Sequence, residues 1–385
     1  MLDRVIKGGP KYWGWLIFLA FMMTIGFIVY LYQFKVGLGV TGMSRDVSWG
    51  LYISQFTYLV GIAAGGVMVA LPCYLHDYKA FGRITVLGEF MAIAAVLMCL
   101  IFIMVDLGYL PRIVNVIFYP HPKSILFWDM IVLNVYLLLN ILIGWNVLAA
   151  ERKGIHYQKW VKVLIYISIP WAFSIHTVTA FLYAGLPGRH FWLTAIMAPR
   201  FLASAFCSGP ALLLIICLIV RKVSRFDPGE KQMRTLSGII AYAFILNIFF
   251  FLMEVFTAFY SQIPGHMHSL VYLFAGLDGY GKLVPWMWAF AVASVVALVL
   301  LIVPATRRKE DTLLVACIAV IIATWIDKGL GLVIGGFIPD PFDKVFEYWP
   351  TTPEILIALG VWATGFFVLT VLFKMAVSLK EEVGA

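Results

Sequence analysis

Apolar residues in this chain gather in long, nearly unbroken stretches, with neither the alternation of a half-buried strand nor the narrow stripe of a surface helix. Ten stretches reach the ~20 residues that a helix needs to cross a hydrocarbon layer. They cover 12–34, 50–75, 85–110, 125–150, 159–185, 199–221, 235–261, 283–304, 313–336 and 353–378. The segments between them are too short for a soluble domain. The pattern predicts an all-α integral membrane protein of about ten transmembrane helices, occupying 1–385 as a single membrane domain.

Composition agrees. Hydrophobic residues make up 63% of the 385 positions and charged residues only 12%, a balance that would leave a soluble domain with excessive exposed apolar surface. The charged stretch before the first apolar run, MLDRVIKGGPKYW, is not followed by a convincing small-residue cleavage site, so the run reads as a retained helix. The formal net charge of +8 does not point to nucleic acid, because the basic residues lie in loops, where orientation bias places them. One side collects the N-terminus, the loops near 76–84, 151–158, 222–234 and 305–312, and the C-terminus. That side carries 19 of the 28 Lys and Arg, so both termini are expected in the cytoplasm. Cys73, Cys99, Cys207, Cys217 and Cys317 lie in apolar segments without a CxxC, and read as small buried hydrophobes rather than cluster ligands.

The loops on the opposite, outer face are longer and rich in Pro, Gly and aromatics: FLYAGLPGRHFW (Phe181–Trp192), the run from Ser261 to Lys282, and GGFIPDPFDKVFEYWPTTPE. Interfacial anchoring explains the aromatics but not the loop lengths. A surface built to receive a partner explains both.

Ionisable residues inside spans are costly, at least ~2.5–3.5 kcal/mol at the bilayer centre, and are functional candidates for that reason. His176 lies roughly 13 Å from the outer end of the fifth span at the rise of an α-helix. Glu254, Asp129 and Asp106 lie in the outer portions of spans seven, four and three, and Arg200 opens span six. Asp327 and Lys328 lie mid-span in the ninth, where each can neutralise a separate neighbour, since adjacent helical residues do not face each other. Glu89 alone lies near an inner end. As a set they indicate an outer-half polar pocket with an inward connection through span nine.

Of the seven histidines (His76, His121, His156, His176, His190, His266 and His268) only His176 is well inside a span. The bis-histidine pair of a membrane haem is therefore absent from the pattern, and the His266/His268 spacing is a weak metal signal. No haem, metal or iron–sulfur cluster is expected in this chain. Two functions remain: a quinone-binding subunit exchanging electrons with an outer partner, or a secondary transporter with a polar midplane site. The Ile169-Pro170-Trp171 and Gly61/Gly65-Gly66 positions could mark the broken helices of a transporter, although Gly65 after Gly61 also suits close helix packing.

Three runs carry a resemblance: WGLYISQFTYLVGIAAGG (Trp49–Gly66), DLGYLPR (Asp106–Arg112) and HTVTAFLYAGLPGRHFWLTAIMAPRFLASAFCSGPALL (His176–Leu213). The chain closely resembles the NrfD/PsrC family of quinone-interacting membrane subunits, and most of all its DsrP and HmcC branch from sulfur-metabolising prokaryotes. The likeness covers essentially the whole chain. It departs from the family's frequent DLGRP run, since this chain reads DLGYLP with an Arg at 112, which puts in doubt any role of an Arg two residues earlier. The resemblance implies two four-helix bundles, 50–185 and 199–336, flanked by 12–34 and 353–378, in a prokaryotic cytoplasmic membrane. It implies a menaquinol/menaquinone site at the outer end of the first bundle, serving a respiratory electron-transport complex of sulfur metabolism. The implied partners are a ferredoxin-like iron–sulfur subunit on the outer face, a multihaem cytochrome c, a cytochrome b and a heterodisulfide-reductase-like subunit.

On that reading Asp129 and His176 are the catalytic candidates, and they contact the quinone with Tyr183, Arg189 and His190. Arg189 and His190 would meet the docked carrier, while Phe191 and Trp192 would wall the pocket from lipid. Asp106, Arg200, Glu254, Asp327, Lys328 and Glu89 would form a path for linked proton movement.

Overall fold

A computed structural model describes residues 5–66, 69–71, 73 and 81–383; His76 and most of the 76–84 loop lie outside the described residues. Among the described residues, ten helices are long and apolar enough to cross a membrane. Numbering these long helices in chain order, they are α1 (Pro10–Val36), α2 (Leu51–Ala64, with an apolar span reaching Leu71), α3 (Gly82–Asp106), α4 (Ile125–Lys153) and α5 (Lys159–Ala184). They continue with α6 (Met197–Val223), α7 (Glu230–Tyr260), α8 (Val284–Ile302), α9 (Glu310–Trp325, with an irregular extension to Phe337) and α10 (Thr352–Val383). The number matches the count read from the apolar stretches, and the ends differ by a few residues.

Contacts between helices close into two rings. In the first, α2 packs on α3, α3 on α4, α4 on α5 and α5 on α2; in the second, α6, α7, α8 and α9 do the same. The rings meet where α2 and α5 pack on α6 and where α2 runs along the extension of α9. α10 packs on α3, and α1 on α10. Burial follows from this order. The whole apolar window of α2 is buried, against 17% of that of α1. At the seam between rings, a Cβ on Gly65 of α2 would come within 2.3 Å of the Gly209 Cα of α6. The two backbones therefore touch in the small-residue manner that lets membrane helices pack without a hydrophobic driving force.

Two segments depart from the sequence expectation. The outer run after Ser261 is not simply a loop: Pro264–Phe274 is a helix with Pro at its first position, where the missing N–H costs nothing and the fixed φ suits helical entry. It buries Leu270 and Leu273, and so folds over the end of the second ring. The second departure is in span nine. The α-helix stops at Trp325 and gives way to a π-helical stretch, Ile326–Ile334, which contains both Asp327 and Lys328. Such widened turns occur mostly as single-turn bulges inside α-helices, frequently at functional sites. By contrast, α5 runs unbroken through Pro170. The Ser174 hydroxyl donates to the Pro170 carbonyl at 3.0 Å.

Candidate functional site

The first ring holds three buried polar groups spread over two helical turns of depth. Asp129 on α4 is 3% exposed, and its Oδ1 accepts a 2.7 Å hydrogen bond from the Thr179 hydroxyl on α5. His176, one helical turn further in on α5, is fully buried. Neither of its ring nitrogens has a hydrogen-bond partner among the described residues. Tyr183, one turn outward from Thr179, hydrogen-bonds through its hydroxyl to that of Thr57 on α2. Buried donors and acceptors are almost always paired, so an unpaired imidazole asks for something to bind.

The seam supplies a further group. Gly61 lies one turn inward of Thr57, on the same face of α2. Against it comes the Lys328 ammonium, 3.3 Å from where a Gly61 Cβ would stand. Lys328 belongs to the second ring, is 4% exposed, and its Nζ is also without a partner among the described residues. It lies 4.1 Å from the centre of the Phe201 ring, which in turn packs on Tyr183 with ring centres 5.9 Å apart.

An aromatic layer roofs this space. Tyr183 meets Trp192 edge-on at 5.1 Å and Trp49 at 5.5 Å, and the two indoles stack at 5.7 Å. Phe337 closes the group, 5.0 Å from Trp192. Trp192 is fully buried and donates from Nε1 to the Leu332 carbonyl of the π segment at 2.7 Å. Trp192 therefore lies inside the molecule between the rings rather than along a lipid-facing wall.

Arg189 and His190 lie beyond that layer and are not gathered with Asp129 and His176. The Arg189 guanidinium donates to the carbonyls of Phe337 (3.0 Å) and Asp46 (3.2 Å) and lies 4.5 Å over the Phe337 ring. Burial lowers its pKa from the ordinary value, while the nearby charges of Asp340 and Asp46 act the other way. With His190 it lines a small outer cleft of about 100 Å³, edged by Gly265, Ser269, Asp340 and Asp343. His266 is near enough to feel both Glu254 and His190; burial is the larger influence and lowers its pKa. His268 faces Asp343 at 3.4 Å, and no group of three metal-ligating side chains occurs among the described residues.

The remaining candidates divide between the rings. Arg200 and Asp327 form a buried ion pair at 2.5 Å, with the guanidinium 5.4 Å over the Phe251 ring. Glu254 accepts from the Thr194 hydroxyl at 2.6 Å. Asp106 ends α3, and its Oδ1 is buried without a partner among the described residues. Glu89, at the inner end of the first ring, has Oε2 buried and likewise unpaired. The nearby Lys380 of α10 pairs with Glu151 at 3.0 Å. The sequence reading missed Thr179, Thr57 and Phe201, because neutral residues and aromatics in an apolar run carry no signal of their own. It also missed Glu354, which lies at a helix start. That carboxylate is fully buried and accepts from Gly42 N, Thr351 N and the Tyr348 hydroxyl, a structural tie between outer segments.

Residues 39–337, most of the chain and both rings, match the family described as polysulphide reductase, NrfD. The chain belongs to the NrfD family. One relative is a putative dimethyl sulfoxide reductase membrane subunit of Halobacterium salinarum, 25% identical across 92% of this chain and 89% of its own length. Another is the Hdr-like menaquinol oxidoreductase integral membrane subunit of Archaeoglobus fulgidus, 26% identical over 60% of this chain and 56% of that one. A third is the menaquinone reductase integral membrane subunit of Nitratidesulfovibrio vulgaris, 21% identical over 97% and 93%. The chain is thus similar over nearly all of its length to two membrane subunits named for oxidoreductases and over 60% of it to a third, and the names of two of the three specify menaquinone chemistry.

Proposed function

We propose that this NrfD-family chain is the quinone-interacting membrane subunit of a respiratory menaquinol oxidoreductase complex. The observation that carries the reading is His176: a fully buried imidazole whose two ring nitrogens have no partner among the described residues, one turn from the Thr179 hydroxyl that holds the Asp129 carboxylate. The relatives' names supply the chemistry such a site would serve. The residues suit a quinone head group: hydrogen-bonding groups within about one helical turn of each other and flat aromatic surfaces above them, in a pocket otherwise apolar.

Menaquinol, when bound, supplies two electrons and two protons. The chain's own part is to hold the head group and to receive protons. Asp129, kept in place by Thr179, accepts hydrogen from a hydroxyl, and His176 offers a second acceptor. Tyr183, fixed by Thr57, borders the site with the indoles of Trp49 and Trp192, which exclude water from above. Arg189 and His190 belong to the outer lip, where a ferredoxin-like iron–sulfur subunit would dock and pass electrons to or from multihaem cytochrome c, cytochrome b or Hdr-like subunits. Each contact ring is read as one four-helix bundle. Glu89, Asp106, Lys328, the Arg200–Asp327 pair and Glu254 are the groups available for linked proton movement. The basic asymmetry of the loops supports cytoplasmic termini in a prokaryotic inner membrane.

The transporter alternative expects a helix broken at the midplane. α5 is continuous through Pro170, and the irregular stretch that faces the seam, Ile326–Ile334, holds Lys328 toward the first ring. The deciding experiment is purification of the native assembly in mild detergent. An iron–sulfur subunit that co-purifies and is reduced by menadiol, the tail-free menaquinol analogue, supports the reading. A homo-oligomer that ignores menadiol but takes up solute in liposomes overturns it.

A further inference from the structure

We propose that Lys328, although it belongs to the second ring, is a direct contact of the ligand held in the first: its ammonium reaches through the Gly61 window and donates to an oxygen of the quinone head. The inference rests on the reading of the first ring as a quinone site.

Four observations converge. First, the Nζ is buried without a hydrogen-bond partner among the described residues, whereas an ammonium carries three donors. Its neighbour in the chain, Asp327, pairs instead with Arg200 at 2.5 Å and makes no hydrogen bond to Nζ. A lone buried cation inside a membrane protein is expensive unless something accepts from it. Second, its direction is known. The Nζ lies 3.3 Å from the missing Cβ of Gly61 and 4.1 Å from the centre of the Phe201 ring, so it points across the seam toward α2 and the first ring. Any side chain at 61 would intrude there.

Third, its depth is right. Gly61 is one turn inward of Thr57, and Thr179 is one turn inward of Tyr183, about 6 Å in each case. The Thr57–Tyr183 hydrogen bond ties those two turns together across the first ring, within a side chain's length of one level. Lys328, beside Gly61, therefore stands within a side chain's length of the depth of the Thr179–Asp129 pair, and His176 lies about 4–5 Å deeper than Thr179. Fourth, the groups are complementary. Lys328 can only donate, ionised Asp129 can only accept, and a neutral imidazole does one at each nitrogen. A ring carrying two oxygens, carbonyl in one redox state and hydroxyl in the other, can meet all three. Adjacent residues of this helical stretch do not face each other, so Asp327 serves the second ring while Lys328 is turned to the seam.

Binding of menadione to the purified complex, read by quenching of tryptophan fluorescence, tests this. Lys328→Met is expected to raise its Kd roughly 10- to 100-fold, the worth of one hydrogen bond to a charged group. Lys328→Gln, which keeps an N–H donor, should recover part of the loss. Gly61→Ala leaves the lysine intact but crowds Nζ, and should weaken binding by a smaller factor. It serves as the test on its own if the position 328 variants fail to assemble. Wild-type binding that persists unchanged in Lys328→Met, or in Gly61→Ala when only that variant assembles, overturns this inference and leaves the quinone site standing. Wild-type complex that binds no menadione overturns both.

Discussion

The π segment presents two faces with opposite fates. Toward the second ring, Asp327 meets Arg200 at 2.5 Å, both side chains are buried, and the pair neutralises itself. At the seam, Lys328 lies against the Phe201 ring of α6 and the window at Gly61 of α2, and finds no acceptor among the described residues. A buried pair that satisfies itself holds structure together, whereas buried groups left open in company, such as Lys328 and His176, describe the outline of a ligand beside Asp129. Chain position does not separate the two roles, since Asp327 and Lys328 are adjacent. The partner across the seam does.

The sharpest way to break this contrast is to remove the polar groups of the first ring. His176→Ala and Asp129→Asn are each expected to lower menadiol turnover by ~10²–10⁴-fold, the range of a lost acid–base group, while assembly stays near wild type. Turnover is measured per assembled complex, and near-normal rates in both variants would move the site elsewhere. The self-satisfied pair should behave in the reverse way. Arg200→Met strands the Asp327 carboxylate and should cost about 3–5 kcal/mol of stability, seen as loss of folded protein in detergent melts. Replacing both partners, Arg200→Met with Asp327→Leu, should restore most of it, because an apolar pair of similar volume removes the desolvation cost along with the bond. A double variant as unstable as the single one would mean that the pair has a third partner.

At the lip, Arg189→Ala is expected to weaken capture of the outer subunit by a few-fold. Raised salt should reproduce the part due to exposed charge, which is screened over ~8 Å at physiological ionic strength. The remainder reports the two carbonyl bonds to Phe337 and Asp46. The smallest effect concerns His266, outside the spans, whose pKa burial lowers. Below about pH 6.5 the unfolded imidazole binds a proton that the folded one resists. Stability should therefore fall as pH drops through and below that value, and His266→Gln should flatten this part of the profile. An unchanged acid limb would assign the dependence to other groups.

Ten spans, the apolar class of the chain and the suspicion attached to His176, Asp129 and the 327/328 pair were all legible in the sequence. The physical reason is locality. Whether a segment crosses a membrane depends on its own length and transfer free energy, and an ionisable residue within it is conspicuous wherever it ends up. The helix over Pro264–Phe274 was less legible, because a short run with two histidines and a glycine has little periodicity to read. The partners were not legible at all. Thr179 on Asp129, Thr57 on Tyr183, Arg200 on Asp327 and Gly61 before Lys328 each join distant helices. Such pairings depend on how each helix is rotated about its axis and on which neighbour it meets, and both are set by packing along the whole seam. The sequence thus determined which groups had to be buried; only the tertiary structure decided which of them were satisfied and which were left to bind something else.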